Sequence, residues 1–410
     1  MTATAVVVAF VLIFAALFIA EPAAATPPLP QPSPTYVYPP SAPAPTASAK
    51  SPGAPDPHPP AGGIGPHDEI VGGAQLAKRG LVVPKGAPAL PAGLTAQAWV
   101  LVDLDSGNVL AARDPHGRYQ PASILKLLTS VTLLPRLPGT TPVIASASAA
   151  NTEGSHAGLV AYGHYTVDDL FRGLLLVSGN DTAIALAQAA GGVDNTVQLM
   201  NQEALSLGAY DTYVQTPSGL DGWQQLTSAY DMAIFLRAAL NQPRFVAYDR
   251  TMRAYLPFQK VVGRVELDNQ NEYFLQQVPG ALVAKTGYTD AALHTYAAAV
   301  ERHGRRLGVI FLRAQRWPTD QWQQAVTLFN WGYALPAGTK PVGHLDAPVV
   351  PVKVGGPQDT PTTTHTATPS RASAGLSRSA LVVLALVAFG VVLAAAWWVG
   401  RARTVHGVRR

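Results

Sequence analysis

The stretch PASILKLLTS, residues 121–130, sets a serine three positions before a lysine. On a helix, residues three apart share a face, so the Lys126 amine comes within reach of the Ser123 hydroxyl. A serine attacks a carbonyl only when a base takes its proton. A lysine can be that base if its amine is neutral, a state favoured by burial, and Ile124, Leu125, Leu127 and Leu128 supply apolar surroundings. Pro121 suits a helix start, whose unpaired N–H groups can stabilise an oxyanion. Taken alone, the same residues also describe a helix-start serine followed by a lysine that lays its stem over an apolar surface.

Two further stretches offer partners. LVSGNDTAIAL, residues 176–186, holds Ser178 and Asn180. They read as a hydroxyl and an amide projecting into a cleft, or as caps of a helix starting near Asp181. ALVAKTGYT, residues 281–289, holds Lys285, Thr286, Gly287 and Tyr288 on a strand. Alternation turns Lys285 and Gly287 to one face and Thr286 to the other. A glycine there clears room for a second backbone, so a peptide substrate can add itself as a strand, with Lys285 and Thr286 at its negative end. The plain alternative is an edge-strand lysine that discourages aggregation. Lysine usage speaks for the chemical reading: between residues 86 and 330 the chain has three lysines only, Lys126, Lys260 and Lys285. Two of them fall in these stretches, where an arginine, which keeps its proton, could not serve as base.

These side chains need a scaffold. AQAWVLVDLDSGNVLAARDP, residues 96–115, reads as a β-hairpin turning at Asp105–Asn108. Between about 120 and 275, five segments carry apolar residues at three-to-four spacing and predict helices. Strands return at ALVAKTGYT, HTYAAAVER and RRLGVIFLR, the last two joined through His303-Gly304-Arg305 as a hairpin, and residues 319–335 predict a closing helix. The fold class is therefore α/β of the α+β type: an antiparallel sheet built from both ends of the domain plus a helical subdomain.

Composition divides the rest of the chain of 410 residues. Residues 1–25 read as a secretory signal peptide lacking a charged start, with an uncleaved signal anchor as the alternative. Fifteen prolines fall between Thr26 and Pro66, so 26–85 is expected to be a Pro-rich disordered segment. The catalytic unit is expected at 86–340 and a flexible linker at 341–378. Residues 380–400 form an uninterrupted apolar run, long enough at roughly 31 Å to cross a bilayer as a helix, so a transmembrane span is expected at 379–400. The basic tail, 401–410, then points to the cytoplasm and the catalytic unit to the extracytoplasmic side of the cell membrane. The net charge of +4 belongs largely to that tail; no basic patch suggests nucleic acid, and the ten scattered histidines show no metal-ligand spacing. The chain has no cysteine, so it folds without disulfides, and no cofactor is expected.

The order S-x-x-K, S-x-N, K-T-G is that of the active-site-serine penicillin-recognising enzymes. With its flanks, TPSGLDG at 216–222, LTSAYDMA at 226–233 and NWGYA at 330–334, the chain resembles the serine-type D-alanyl-D-alanine carboxypeptidases, low-molecular-mass penicillin-binding proteins, over about residues 90–335. The resemblance implies a β-lactamase/transpeptidase-like fold and a substrate that is a peptidoglycan stem peptide ending in D-Ala-D-Ala. It implies that Ser123 is the nucleophile, Lys126 its base and Ser178 a proton relay. Asn180 would bond the acyl-side amide, Lys285 and Thr286 would hold the terminal carboxylate, and the N–H groups of Ser123 and Tyr288 would form the oxyanion hole beside Gly287. β-Lactams would acylate the same serine.

Some positions depart from the family pattern. Ala284 and Leu293 stand where relatives often have glycine, which could narrow the cleft. The arginine that relatives often place early in the closing helix is replaced by TDQWQQ, leaving Arg313 and Arg316 as the nearest cations. Three rivals remain. An endopeptidase on D,D cross-links would use the same residues. A class A β-lactamase would need Asp at Gly179 and a deacylating glutamate loop, which Glu203 in its helical pattern does not supply. An inactive wall-binding scaffold would make the Pro-rich arm the working part.

Overall fold

The computed structural model describes residues 62–66 and 68–345. The expected signal peptide or anchor at 1–25, the span at 379–400 and the tail at 401–410 lie outside the described residues; no helix among the described residues is long and apolar enough to cross a membrane. The centre of the fold is an antiparallel sheet. Its strands are β1 (Leu81–Val82), β2 (Ala98–Asp103), β3 (Asn108–Arg113), β8 (Ala281–Thr289), β9 (Leu293–Arg302) and β10 (Arg305–Ala314). They run in the spatial order β1-β3-β2-β10-β9-β8, so the two ends of the domain meet where β2 pairs with β10. Two short hairpins stand apart, β4 (Pro142–Ile144) with β5 (His164–Thr166) and β6 (Arg253–Tyr255) with β7 (Glu266–Asp268); β11 (Gly343–His344) joins the sheet beside β3.

Turn chemistry sets the hairpins. Asp103 Oδ1 accepts from the backbone N–H and the hydroxyl of Ser106, both within 3.0 Å, and bends the chain from β2 to β3. His303 and Gly304 both take positive φ, 53° and 74°, which matches the twist of β9 and β10. β2 is buried along its whole length because both faces of the sheet are covered. Ala98, Val100 and Val102 face the helical layer, whereas Trp99 and Leu101 face the closing helix α9 (Gln321–Tyr333).

The helical layer comprises α1 (Lys126–Leu133), α2 (Ala147–Ala150), α3 (Val167–Leu176), α4 (Asn180–Ala189), α5 (Val193–Ser206), α6 (Ala229–Leu240) and α7 (Pro243–Asp249), whereas α8 (Glu272–Gln277) packs Phe274 against Tyr296 in the cluster under α9. Some of their starts carry side-chain caps. Thr166 and Asp169 form a capping box on α3, and Ser228 accepts from the Asp231 N–H on α6.

The expectation of disorder through residue 85 needs correction. Val71, Leu76 and Val82 are buried, the Gly63 N–H donates to Asp211 Oδ1 at 2.7 Å, and β1 pairs with β3. The folded unit therefore takes in residues 62–66 and 68–85, and at its far end residues 341–345, where Val342 and Leu345 are buried. High proline content marks the upstream segment, but apolar residues spaced through IVGGAQL let this part dock.

Candidate active site

The nucleophile stretch begins as a 3-10 turn, Ala122–Leu125, that continues into α1 at Lys126. Lys126 is fully buried; its Nζ donates to Asn180 Oδ1 at 2.7 Å and to the Ser218 carbonyl at 2.6 Å, which leaves the lone pair of a neutral amine for Ser123 Oγ at 3.0 Å. Burial drives its pKa well below the usual lysine value, the charge of Lys285 lowers it further, and the carboxylate of Asp181 opposes both. A neutral amine next to a serine hydroxyl is a base in place. The carbonyl that receives Lys126 comes from TPSGLDG, where Gly219 adopts φ +88° and a Cβ would lie 2.0 Å from the Ala122 carbonyl oxygen.

The second stretch departs from the capping alternative. Gly179, not a side chain, caps α4, and Asn180 lies inside the helix, with Nδ2 donating to the Glu153 carbonyl at 2.9 Å. Ser178 takes a positive φ of 61°, and its buried hydroxyl has no hydrogen-bond partner. A positive φ is a strained backbone conformation for a serine, and Ser178 lies in the wall of the groove described below. At Gly179 a Cβ would lie 2.6 Å from Asp181 Oδ1 and 2.7 Å from Thr182 Oγ1, so an aspartate there is excluded without rearrangement.

The third stretch lies on the exposed edge of β8. Lys285 is buried and donates to the Thr286 carbonyl at 2.7 Å. Burial lowers its pKa to about 8, against the pull of Asp249, which would raise it. Gly287 allows the closest approach: a Cβ there would sit 2.8 Å from the Ser123 amide nitrogen and 2.4 Å from Thr295 Oγ1. Thr295 in turn donates to the Pro121 carbonyl at 2.9 Å, fastening the nucleophile turn to β9. The Tyr288 side chain is exposed and reaches Asp290 at 2.9 Å, with its ring 4.7 Å from that of His294.

One groove of about 780 Å³ is lined by Ser123, Ser178, Thr286, Gly287 and Tyr288, and also by Phe274, Tyr296, Arg316, Gln321 and the exposed Trp317. Lys126, Asn180 and Lys285 stand behind that surface. The eight residues expected from sequence are thus brought to one place. Ala284 does not narrow the groove: it is buried among the residues under α9, with its N–H donating to Asp249. Leu293 begins β9 with φ 55°, a left-handed conformation that accounts for the usual preference for glycine. Of the two arginines, Arg313 donates to Gln97 Oε1 at 3.0 Å and the Ala291 carbonyl at 2.8 Å and does not line the groove, whereas Arg316 lines it and pairs with Asp320 at 2.7 Å.

Two carboxylates were missed by the sequence reading. Asp181 is buried and accepts from the N–H groups of Ala157, Gly158 and Leu159 at 2.9–3.0 Å, binding the loop that carries Ser155 to the second stretch. Its only signal is its place directly after Ser178-Gly-Asn180. Asp249 ends α7, and its Oδ1 accepts from the Ala284 N–H at 3.0 Å while Asn271 Nδ2 donates to the Ala284 carbonyl at 2.8 Å. Burial raises the Asp249 pKa to about 7. Together the two clamp the peptide unit ahead of Lys285. Nothing in the local sequence points to Asp249. Among the described residues no group of three or more His, Asp or Glu side chains could hold a metal ion.

Known proteins resemble this chain in family and fold. The family model for D-alanyl-D-alanine carboxypeptidase, Peptidase_S11, matches residues 85–316. The D-alanyl-D-alanine carboxypeptidase DacB2 of Mycobacterium tuberculosis is 41% identical over 259 residues, covering 62% of this chain and 87% of that protein. DacF of Bacillus subtilis is 28% identical over 265 residues, 63% of this chain and 67% of that protein. A crystal structure of a D-alanyl-D-alanine carboxypeptidase from M. tuberculosis superposes with a TM-score of 0.61 at 40% identity, covering 64% of this chain and 99% of the other. The Streptomyces K15 DD-transpeptidase shares the fold, with a TM-score of 0.56 at 23% identity, over 60% of this chain and 100% of the other.

Proposed function

The chain belongs to the Peptidase_S11 family of D-alanyl-D-alanine carboxypeptidases, and from that premise we propose that it removes the terminal D-alanine of peptidoglycan stem peptides through an ester on Ser123. The observation that carries the reading is the Lys126 amine, fully buried and 3.0 Å from Ser123 Oγ.

The chemistry that the family resemblance implies, set on these residues, gives the reaction. Ser123 Oγ bonds to the carbonyl carbon of the penultimate D-alanine while Lys126 takes the hydroxyl proton. The oxyanion is met by the N–H groups of Ser123 and Tyr288, each donor contributing about 3 kcal/mol. The C–N bond then breaks, the nitrogen gains a proton through Ser178 Oγ, and D-alanine leaves. Water attacks the ester, gives a proton back toward Lys126 and frees Ser123. Asn180 orients the acyl-side amide, and Lys285 with Thr286 holds the terminal carboxylate. β-Lactams stop at the ester stage on the same serine.

The apolar run at 379–400 and the arginines after it support attachment to the cell membrane, with the catalytic unit on the extracytoplasmic side. The exclusion of an aspartate at Gly179 speaks against a class A β-lactamase.

The test is fluorescent-penicillin labelling and D-alanine release by the wild type and Ser123→Ala. Both activities should vanish in a variant that melts like the wild type. Labelling that survives would move the nucleophile elsewhere. Mass spectrometry of digested muropeptides showing loss of cross-links instead of one alanine would replace the carboxypeptidase with an endopeptidase.

A further inference from the structure

Besides Ser178 Oγ, two buried donors in the groove wall have no partner. Tyr296 Oη and Gln321 Nε2 are both cut off from solvent and unbonded, and both residues line the groove that holds Ser123. Tyr296 is 1% exposed and Gln321 9%. Buried polar groups of this kind are paired in almost every native protein, so two in one wall call for a ligand.

Their placement says what the ligand is. Tyr296 lies directly across from Thr286 in the β8–β9 register, so the two side chains share a face of the sheet. That face is the one packed by α9, since Ala284, Tyr296 and Ala298 join Ala325, Leu328 and Phe329 in one apolar cluster. Gln321 opens the first turn of α9. Thr286, Tyr296 and Gln321 therefore come from three elements to the same side of the strand on which a peptide would lie, and each has an O–H or N–H to give. A wall of neutral donors selects an acceptor with several lone pairs, and a carboxylate is the acceptor at the end of a peptide.

We propose that Tyr296 and Gln321, together with Thr286, form a neutral-donor pocket for the free carboxylate of the leaving residue. Arg313 is engaged outside the groove, and Arg316 is paired with Asp320. Lys285 supplies positive charge from the opposite face of β8, while the neutral donors fix the carboxylate's direction. The leaving residue as D-alanine rests on the carboxypeptidase reading; the pocket for a carboxylate does not.

The experiment compares acylation rates of benzylpenicillin and its methyl ester, which differ only in the free carboxylate, on the full chain. Gln321→Leu and Tyr296→Phe should each slow acylation by the acid about tenfold, the loss of one hydrogen bond to a charged group, and leave the ester rate nearly unchanged. Gln321→Arg should restore the preference for the acid. Tyr296→Phe should also raise the melting temperature, because it removes an unpaired hydroxyl and keeps the ring edge-on to Phe274, so it carries the test if Gln321→Leu fails to fold. An acid-to-ester ratio equal to that of the wild type in the folded variants would overturn the pocket. Labelling without D-alanine release by the wild type would sink the carboxypeptidase reading, and the acid-to-ester comparison would still decide the pocket.

Discussion

Gly287 and Ser123 stand so close that a Cβ on the former would lie 2.8 Å from the amide nitrogen of the latter. The contact is backbone against side chain, and the Ser123 turn cannot retreat, since Thr295 ties it to β9 through the Pro121 carbonyl. The same added carbon would meet Thr295 Oγ1 at 2.4 Å. Gly287→Ala should therefore displace an N–H group of the oxyanion hole. A misplacement of this kind costs about a hundredfold in acylation rate. Stopped-flow acylation by a fluorescent penicillin checks it, and a rate within threefold of the wild type would show that the two elements can part without consequence.

The Lys126 side chain is enclosed, with Ser123, Asn180 and Ser218 each at hydrogen-bond distance. Lys126→Arg keeps a cation but loses the base, because guanidinium holds its proton at every working pH. Its larger planar head must also displace Asn180. Acylation should fall by at least about a hundredfold, the usual contribution of a general base. Added primary amines should restore part of the activity to Lys126→Ala but none to Lys126→Arg, whose side chain fills the space. Equal rescue of both would count against the amine as base.

The placement of the site residues was legible wherever a local rule connects them. Three-residue helical spacing places Lys126 on Ser123, alternation places Gly287 opposite Thr286, and the glycine turn joins β9 to β10. What stayed hidden depends on packing between distant elements. Asp249 reaches β8 only because α7 ends beneath Ala284, and no local pattern carries that information. Tyr296 and Gln321 come together only because β9 and α9 meet at the groove. Residues 68–85 were hidden by the prolines upstream, although Val71, Leu76 and Val82 supply the apolar surface that anchors them.

The lysine of the third stretch predicts the alkaline limb of activity. Burial favours the neutral amine, so the Lys285 ammonium is present below about pH 8 and lost above it. With Lys285 in its proposed role on the substrate carboxylate, kcat/KM for D-alanine release should fall as pH rises through about 8. Asp249 acts in the opposite direction to burial, since its negative charge holds the Lys285 proton on. Asp249→Asn should therefore move the falling limb to lower pH while the acid-side limb stays in place. Kinetics from pH 5 to 10 would reveal the shift; a limb that does not move would assign the fall to another group.

Asp181 holds the second stretch in place from behind. Its carboxylate accepts from three successive backbone N–H groups, Ala157 to Leu159, and from that of Thr182 at 2.8 Å. The Asn180 N–H meanwhile donates to the Ser155 carbonyl at 2.7 Å, so the loop and the helix start form one unit. Asp181→Ala leaves these buried donors unpaired, and the loss should be about 3 kcal/mol in urea unfolding. The loop should loosen before the sheet does. Amide hydrogen exchange at 157–159 should then rise by more than exchange in β9 and β10. Uniformly increased exchange would mean that Asp181 supports the whole helical layer instead of this loop, and with it the setting of Ser178.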